Sequence, residues 1–276
     1  MTQIWCNGEW LDPLDFSASL MDRGSILGLG LFETMLAVDG VPVFVERHLA
    51  RLRSGCERLG WHVMLPDLQE IINELLVKNG LCVGRARVRL AMTAGSGPID
   101  DLSLGTSPLL WMVALAINEP PKEIQVNLAP WRRNEHSPIA GLKCASYAEN
   151  LVALDHARRL GFEETLFLNT AGHLCEAATA NLFIVKNGVL LTPSLESGCL
   201  PGITRAVVLE LANRCRIDSQ ECMLTPDDLH SAGEIFLTSS IRGLESVSRV
   251  GDQVYYDYSV ANRLRQYWKV EIERYG

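Results

Sequence analysis

Lys143 is the residue whose surroundings point most directly to chemistry. It lies in the apolar and small-residue segment 139–145, Ile-Ala-Gly-Leu-Lys-Cys-Ala. Burial disfavours an ammonium ion and lowers the pKa of a lysine, which turns its amine into a nucleophile. The alternative is a lysine at the end of a strand whose long side chain reaches water. The segment alone therefore predicts either a reactive amine or an ordinary exposed lysine.

Glu176 is an isolated carboxylate among small and apolar neighbours in the stretch Leu174–Thr179. An unpaired charge is expensive to bury, so a buried Glu176 needs a positively charged partner. A nearby arginine is one such partner, and the protonated ring nitrogen of a cofactor is another. The residues by themselves leave both possibilities open.

Two segments have the composition of an anion site. Pro201–Arg205 opens a predicted helix after a glycine turn. Free N–H groups and the positive end of a helix attract phosphate at such a position. Ordinary helix capping explains the same pattern. Thr238, Ser239 and Ser240 follow a predicted strand and offer hydroxyl donors. Arg51 can add positive charge, but its predicted helix carries three other arginines, and a surface salt bridge is the alternative.

Several common catalytic patterns are missing from the chain. It has no Gly-x-Ser-x-Gly sequence, so a hydrolase of that type has no support. Gly28 and Gly30 lack the third glycine of a dinucleotide fingerprint, and no phosphate loop ends in Gly-Lys-Ser/Thr. The six histidines and eight cysteines show no metal-ligand spacing, so we expect no metal site.

Composition and charge limit the class of protein. The 276 residues include 25 Lys and Arg against 33 Asp and Glu, a net charge of −8, and 47% are apolar. This globular composition suits one large or two modest domains. The acidic balance argues against binding to nucleic acid. No segment has the roughly 20 apolar residues of a membrane span, and the N-terminus lacks a signal-peptide pattern, so we expect a cytoplasmic protein without membrane partners.

Hydrophobic patterns predict strands and helices that mix without strict alternation, which favours an α+β fold. The predicted strands are 4–10 with a turn at Asn7-Gly8, 31–38, 41–45, 85–93, 109–117, 124–128, 164–168, 181–185, 189–191 and 234–238. The predicted helices are 46–59, 65–78, 149–160 and 203–213, and residues 22–30 are expected to form a glycine-rich loop.

The clearest linker candidate is 118–122, Asn-Glu-Pro-Pro-Lys, because its two prolines stiffen the chain. We therefore expect a small α/β domain at residues 1–117 and a larger domain at residues 123–276.

Taken in order, several segments resemble the class IV aminotransferase family, the fold-type IV pyridoxal-phosphate enzymes. The family includes branched-chain aminotransferases, D-amino-acid aminotransferases and 4-amino-4-deoxychorismate lyases. The matching segments are 22–24, 28–34, 47–52, 141–143 with Tyr147 and Asn150, 176–183, 192–193 and 200–205. Each motif alone is weak, but together they follow the family's order and spacing over nearly the whole chain.

The resemblance implies a two-domain enzyme, with a small α/β N-terminal domain and a larger, barrel-like C-terminal domain that binds the cofactor. Pyridoxal 5'-phosphate would lie between the domains. The resemblance also implies a homodimer in which the partner lends residues to the substrate pocket. The other partner would be a small amino acid or oxo acid.

The same resemblance implies a role for each candidate residue. Lys143 would form a Schiff base with the cofactor and later move a proton as acid and base. Glu176 would keep the ring nitrogen protonated, and Tyr147 would bond the ring oxygen. The phosphate would be held by Arg51, Ile203, Thr204, Ser239 and Ser240. The substrate side would be lined by Phe32, Thr34, Arg89, Ala178 and Thr179.

Departures from the family pattern bear on the substrate. D-amino-acid aminotransferases have a Thr-Arg-Gly strand end followed by an Arg-x-His carboxylate trap, where this chain has Ala94 and then Ile-Asp-Asp at 99–101. Acidic residues would repel a carboxylate, which argues against D-specificity. Arg87 and Arg89 alternate on one face of their strand, and either can bind a substrate carboxylate or pair with Glu33.

Our first hypothesis is transfer of an amino group between an L-amino acid of apolar, branched-chain-like type and a 2-oxo acid. The alternative is a 4-amino-4-deoxychorismate lyase that releases pyruvate and 4-aminobenzoate. A third hypothesis, a non-catalytic relative, is disfavoured because Lys143 and Glu176 are both present.

Overall fold

The computed structural model describes residues 2–274, which form two compact units. The first unit contains residues 2–119, Leu142–Tyr147 and 272–274, and the second contains Pro120–Gly141 and Ala148–Glu271. The units divide inside the stretch 118–122, while the segment around Lys143 groups with the first unit and not with the rest of 123–276. Whether residues 1–117 and 123–276 are folding domains stays a prediction.

The first unit is a six-stranded antiparallel sheet with helices. Its strands are β1 (Ile4–Cys6), β2 (Glu9–Leu11), β3 (Gly30–Val38), β4 (Val41–Pro42), β5 (Arg85–Thr93) and β6 (Leu110–Ala116). Its helices are α1 (Arg23–Leu27), α2 (Val45–Arg58) and α3 (Leu68–Lys78). The strand order is β2-β1-β6-β5-β3-β4, so β3 lies beside β5 along its whole length.

Alternation along the strands gives this sheet two different faces. Met35 of β3 and Val88 of β5 belong to the hydrophobic core of the unit, together with Ile72 and Leu75 of α3. Because successive side chains point to opposite sides, Phe32, Thr34 and Arg89 lie on the other face. The sheet therefore carries its core on one side and the predicted substrate residues of this unit on the other.

The second unit holds the remaining strands and helices. Its strands are β7 (Glu123–Arg133), β8 (Glu164–Asn169), β9 (Leu174–Ala177), β10 (Asn181–Lys186), β11 (Val189–Pro193), β12 (Ser219–Cys222), β13 (Glu234–Ser239), β14 (Gly243–Val250) and β15 (Gln253–Val254). The helices that follow residue 147 are α4 (Ala148–Arg159), α5 (Ile203–Arg214), α6 (Pro226–His230) and α7 (Ser259–Glu273), with a 3-10 turn at Leu195–Ser197.

The sheet of the second unit mixes parallel and antiparallel pairs. Its order is β12-β11-β10-β13-β14-β7-β8-β9, with β15 paired to β14. The β7 strand runs parallel to both β8 and β14, and β11 runs parallel to β12. Strand β9, at one end of this order, also contacts β10 and β11, so the sheet curls back on itself.

The α+β fold expected from the sequence is confirmed. Two local expectations were wrong. Residues 22–30 contain a short helix, α1, because the Asp22 side chain accepts a hydrogen bond from the Gly24 N–H and caps it. The strand expected at 41–45 is limited to Val41–Pro42, because Phe44 adopts a left-handed conformation (φ 54°) and Val45 already begins α2. None of the helices described combines the length and apolarity of a membrane crossing.

Candidate active site

Lys143 is held by main-chain pairing with the beginning of β3. The N–H of Phe32 donates to the Lys143 carbonyl at 2.9 Å, and the N–H of Ala145 donates to the Gly30 carbonyl at 2.8 Å. Leu31 and Cys144 form an isolated antiparallel bridge between these two bonds. The segment around Lys143 is therefore added as a short strand to the edge of β3 that β5 does not occupy.

The ring of Phe32 brings three predicted site residues together. The Lys143 Nζ atom lies 4.5 Å from the ring centroid, and the Arg89 Cζ atom lies 3.6 Å from it. Tyr147 meets the same ring edge-on, with centroids 5.4 Å apart. Phe32 itself is only 2% exposed, so the ring is a fixed platform for the amine, the guanidinium and the phenol.

Arg89 is a partly buried cation whose position is set by strand register. It pairs with Thr34 of β3 across the sheet, so both side chains lie on the same face. Burial lowers the pKa of Arg89, and its neighbour Arg87 lowers it further, although Tyr147 acts in the opposite direction. Among the residues described, Arg89 makes no ion pair with a carboxylate. A carboxylate brought by a ligand would therefore be stabilised there.

Glu33 pairs with Arg51 and His48, and not with Arg87 or Arg89 as the sequence allowed. Its carboxylate accepts from Arg51 Nε at 2.8 Å and from Arg51 Nη2 at 2.6 Å, and His48 Nδ1 lies 2.6 Å away. The reason is alternation: Glu33 points to the sheet face that packs on α2. Docking of α2 thus selects Arg51 from the four arginines of its helix.

This cluster has a defined charge state. Burial raises the pKa of Glu33, but the charge and hydrogen bonds of Arg51, with those of His48, outweigh it and bring the pKa to about 2. Burial, with the positive charges of Arg51 and Lys143, lowers the pKa of His48 even though Glu33 acts in the opposite direction. An ionised carboxylate can only accept hydrogen bonds, so His48 Nδ1 is the donor. At neutral pH the cluster contains one carboxylate, one guanidinium and a neutral imidazole.

Glu176 lies on β9, half-buried, with named partners for both oxygens. Its Oε2 atom accepts from the Leu200 N–H at 2.9 Å, and its Oε1 atom lies 3.7 Å from Arg133 Nη2. Arg133 also bonds Glu149 and lies over the Phe167 ring, 4.4 Å from its centroid. The partner expected from the sequence is therefore present as an arginine, at a distance that leaves the pair loose.

Ile203 and Thr204 form the first turn of α5, and both are buried. Gly202 is the N-cap and provides no side-chain hydrogen bond, so the first N–H groups of the helix have no side-chain cap. The hydroxyl oxygen of Thr204 is buried without a hydrogen-bond partner among the residues described. These donors are arranged as in a helix N-terminus that binds an anion.

Asn181 joins this turn to the segment that ends β13. Its Nδ2 donates to the Leu200 carbonyl at 2.8 Å, and its backbone pairs with that of Thr238. A Cβ on Gly202 would lie 1.9 Å from Asn181 Oδ1, so only glycine fits there. Thr238 Oγ1 is a second buried hydroxyl without a partner, while Ser239 Oγ accepts from the Arg242 N–H at 3.3 Å. Ser240, half-buried, follows directly.

Ala178 and Thr179 lie in the turn between β9 and β10, held from two sides. The Ala178 carbonyl accepts from Asn150 Nδ2 at 2.6 Å, and the Thr179 hydroxyl donates to Glu164, a fully buried carboxylate. Arg242 Nη2 donates to the same hydroxyl at 2.9 Å. The turn is fixed in place, as a substrate-lining segment needs to be.

Sequence reasoning missed several residues that organise these clusters. His48 lay inside a quoted motif, but nothing indicated its contact with Glu33. Arg133 ends a strand that was predicted to stop at residue 128, so it was not considered as a partner for Glu176. Asn181 lay in a predicted strand and in a quoted motif, but nothing indicated its contact with the Leu200 carbonyl. Each owes its position to the pairing of distant segments.

Comparison with known proteins identifies the family. The class IV aminotransferase family model matches residues 30–250. The chain belongs to the class IV aminotransferase family. A branched-chain-amino-acid aminotransferase of Escherichia coli is 29% identical over 262 residues, covering 90% of this chain and 84% of the relative. The aminodeoxychorismate lyase of Bacillus subtilis is 26% identical over 280 residues, covering 98% and 94%.

A solved structure supports the same assignment. The crystal structure of Escherichia coli branched-chain amino acid aminotransferase superposes with a TM-score of 0.90 at 26% identity, covering 98% of this chain and 94% of the other. Class IV aminotransferases depend on pyridoxal phosphate, and this chain is therefore a pyridoxal-phosphate-dependent enzyme. The resemblance stated from the sequence is confirmed.

The residues present fit such a cofactor. An uncapped helix start beside two unpartnered buried hydroxyls, those of Thr204 and Thr238, has the donors that a phosphate group requires. Lys143 supplies a primary amine, and Glu176 a carboxylate, as a pyridoxal ring requires.

We expect Glu33→Gln to remove acid-dependent stability from the protein. The carboxylate, with its pKa lowered from 4.5 to about 2, stabilises the folded state above pH 4.5, and that contribution is lost as pH falls toward 2. It amounts to about 3 kcal/mol. Urea unfolding at pH 7 and pH 3 should show a smaller difference for Glu33→Gln than for the wild type.

The control is Glu57→Gln, at an exposed position on α2, and its pH dependence should follow that of the wild type. An unchanged pH dependence in Glu33→Gln would contradict the ion-pair assignment.

Proposed function

We propose that the protein transfers an amino group between an L-amino acid with an apolar side chain and a 2-oxo acid. The observation that carries this proposal is the placement of Lys143: its backbone is paired with β3, and its Nζ atom lies on the Phe32 ring beside Arg89. Bound pyridoxal phosphate supplies an electron sink for the negative charge that develops at the substrate Cα.

Lys143 Nζ would hold the cofactor covalently and would then carry a proton to and from the substrate Cα. The amine lies 4.5 Å from the centroid of the Phe32 ring, and the Arg89 guanidinium contacts the same ring. Tyr147, edge-on to the same ring, would donate to the ring oxygen of the cofactor.

Glu176 would bond the ring nitrogen of the cofactor and keep it protonated. Its Oε2 atom is oriented by the Leu200 N–H, and its Oε1 atom is only loosely paired with Arg133. A protonated ring nitrogen makes the electron sink stronger.

The phosphate would be held by main-chain and hydroxyl donors. We assign the N–H groups of Ile203 and Thr204 and the segment Ser239–Ser240 to this role, with Arg51 as the cationic contributor. Arg51 also donates to Glu33 through its Nε and Nη2 atoms.

We assign substrate contacts to Phe32, Thr34 and Arg89 of the first unit and to Ala178 and Thr179 of the second. Arg89 has no carboxylate partner among the described residues, which suits it for the carboxylate that amino acids and oxo acids share. Phe32 and Ala178 provide apolar contact for the side chain. The substrate roles rest on this complementarity of charge and polarity.

Lys143→Ala should abolish turnover, by about a thousandfold or more, because the covalent attachment and the proton carrier disappear together. Lys143→Arg keeps a cation on the Phe32 ring but cannot attach the cofactor, so it should be equally inactive. The measurement is oxo-acid formation from a panel of L- and D-amino acids with 2-oxoglutarate. Near-visible absorbance that borohydride removes should be present only in the wild type.

The same preparations should be incubated with 4-amino-4-deoxychorismate. Release of 4-aminobenzoate without any oxo-acid turnover would replace the aminotransferase assignment with the lyase. Turnover of D-amino acids alone would overturn the proposed stereochemistry.

Arg89→Gln should raise the KM for the amino acid by about 10- to 100-fold and change kcat less, because an ionic hydrogen bond made to the bound substrate is lost. Arg87→Gln removes the same charge from an exposed position two residues along the same face and is the matched control. The measurement is the steady-state KM and kcat of both variants at saturating cofactor. An equal or larger effect in Arg87→Gln would move the carboxylate site to Arg87.

The cytoplasmic location expected from the sequence stays a prediction. We further propose that the chain forms a homodimer, in keeping with the family resemblance. Support for a dimer comes from exposed apolar side chains concentrated in residues 14–27, where Leu14 is 94% and Leu20 is 88% exposed. Light scattering should report twice the chain mass of 30.6 kDa.

Leu20→Asp should shift this assembly toward the monomer, while Met64→Asp, at a fully exposed position elsewhere, should leave it unchanged. A wild-type protein that scatters as a monomer at all concentrations would overturn the dimer.

A further inference from the structure

Arg23 is a fully buried guanidinium without a counter-charge. Its side chain is 0% exposed, and it makes no ion pair with a carboxylate among the residues described. The adjacent Asp22 uses its carboxylate to accept from the Gly24 N–H and the Thr93 hydroxyl, both at 2.7 Å. A buried cation is tolerated only where hydrogen bonds compensate its lost hydration, so the partners of Arg23 matter.

Those partners are main-chain carbonyl groups of the loop between β5 and β6. Nε donates to Gly95 at 3.1 Å, and Nη2 donates to Ala94 at 3.0 Å and to Ser103 at 2.7 Å. Nη1 donates to Asp101 and, at 3.5 Å, to Pro98. A guanidinium has five N–H donors, and this loop supplies five acceptors for them. Together these five main-chain carbonyl groups, within residues 94–103, form a carbonyl cage around the guanidinium.

Two glycines lie against the Arg23 guanidinium. A Cβ on Gly105 would lie 2.6 Å from Arg23 Nη2 and 2.0 Å from the Ser96 carbonyl, which is too close for any other residue. A Cβ on Gly97 would lie 3.0 Å from Arg23 Cζ, so alanine there would push against the guanidinium. The loop follows the shape of the arginine side chain closely.

The cage is connected to the stretch of chain that holds Lys143. The Arg23 N–H donates to the Gly95 carbonyl at 3.1 Å, and the Ala94 N–H donates to the Leu29 carbonyl at 3.0 Å. The Leu29 N–H in turn donates to the Arg23 carbonyl at 3.1 Å. The two ends of the segment 23–29 are thus hydrogen-bonded to the first two cage residues, Arg23 to Gly95 and Leu29 to Ala94.

The next residues of the chain carry the lysine segment. Gly28 and Gly30 accept through their carbonyls from Ser146 Oγ at 3.2 Å and from the Ala145 N–H at 2.8 Å. The Phe32 N–H then donates to Lys143 itself. A continuous set of main-chain bonds therefore leads from the guanidinium through residues 28–32 to the backbone of Lys143.

We propose that Arg23 is a positioning residue for Lys143. Its guanidinium orders the carbonyl cage, the cage fixes the turn at residues 28–30, and that turn sets the backbone of the lysine segment. The inference rests on the proposed function, because Lys143 must be the reactive amine. Arg23 itself is enclosed by carbonyl groups and acts through the backbone, so it is not a catalytic residue.

The test compares Arg23→Lys with Trp61→Phe. A lysine keeps the charge but can serve at most three carbonyls, so the cage loosens. Trp61→Phe removes the bond, 2.9 Å long, from Nε1 to the carbonyl of Leu102, which lies between two cage residues, and it removes none of the five bonds of Arg23. Both variants lose loop contacts, but only Arg23→Lys breaks the connection to Lys143.

We expect kcat of Arg23→Lys to fall about 10- to 100-fold, with the KM for the amino donor changed by less than about threefold, measured well below each variant's Tm. Amide hydrogen exchange in the cofactor-free protein should become at least about tenfold faster at Phe32 and Ala145. Trp61→Phe should leave kcat and both exchange rates near their wild-type values.

Wild-type kcat in Arg23→Lys, unchanged exchange at Phe32 and Ala145, or an equal loss in Trp61→Phe would each overturn the proposal. A wild-type holoenzyme without borohydride-sensitive absorbance would instead overturn the proposed function, and the exchange rates would still decide whether Arg23 orders the lysine segment.

If Arg23→Lys does not fold, Gly97→Ala provides the same comparison, since it displaces the guanidinium without removing it. It should accelerate exchange at the same two amides, and normal exchange there would contradict the proposal.

Discussion

Two main-chain hydrogen bonds between the Lys143 segment and β3 determine where the candidate catalytic amine lies. The strand β4 pairs only with the far end of β3, at Ala37 and Val38, so the edge at residues 30–32 is available to another segment. A Cβ on Gly30 would come within 2.7 Å of the Met92 carbonyl, so glycine allows the strands to approach here. The amine is therefore positioned by backbone geometry, and its side chain needs only to extend over the Phe32 ring.

The first unit compensates its buried or partly buried cations in three different ways. Arg51 is paired with a carboxylate, Arg23 with carbonyl dipoles, and Arg89 with the face of an aromatic ring. A carboxylate neutralises a guanidinium fully, whereas dipoles and a ring only solvate it. Arg89 is half-buried and, among the residues described, has no carboxylate partner, so its charge is the least compensated of the three.

The second unit uses main-chain and hydroxyl donors where an anion is expected. The first turn of α5 and the end of β13 come together because Asn181 bonds the Leu200 carbonyl while its own strand pairs with β13. Neither segment would be distinctive alone, since uncapped helix starts and serine-rich strand ends are common. Their proximity, with two unpartnered hydroxyls, makes the arrangement suited to phosphate.

The sequence by itself determined the elements and the identity of the principal chemical groups. Periodicity is local, so β5 occupies Arg85–Thr93 as expected and α2 differs by one residue at each end. The ordered motifs were sufficient to name the family, and with it Lys143 and Glu176 as candidates.

Tertiary structure decided which groups meet. The helix α2 contains four arginines that the sequence does not distinguish as partners for an anion. Only the packing of α2 on the sheet places Arg51 and His48 against Glu33.

Strand alternation likewise put Glu33 and Arg89 on opposite faces of one sheet, which excluded an ion pair that residue types alone allowed. The carbonyl cage of Arg23 could not be foreseen, because carbonyl groups are the same in every residue and only the folded loop aims five of them at one side chain. Contacts made by the backbone carry no residue-type signal, and for that reason they appear only once distant segments are paired.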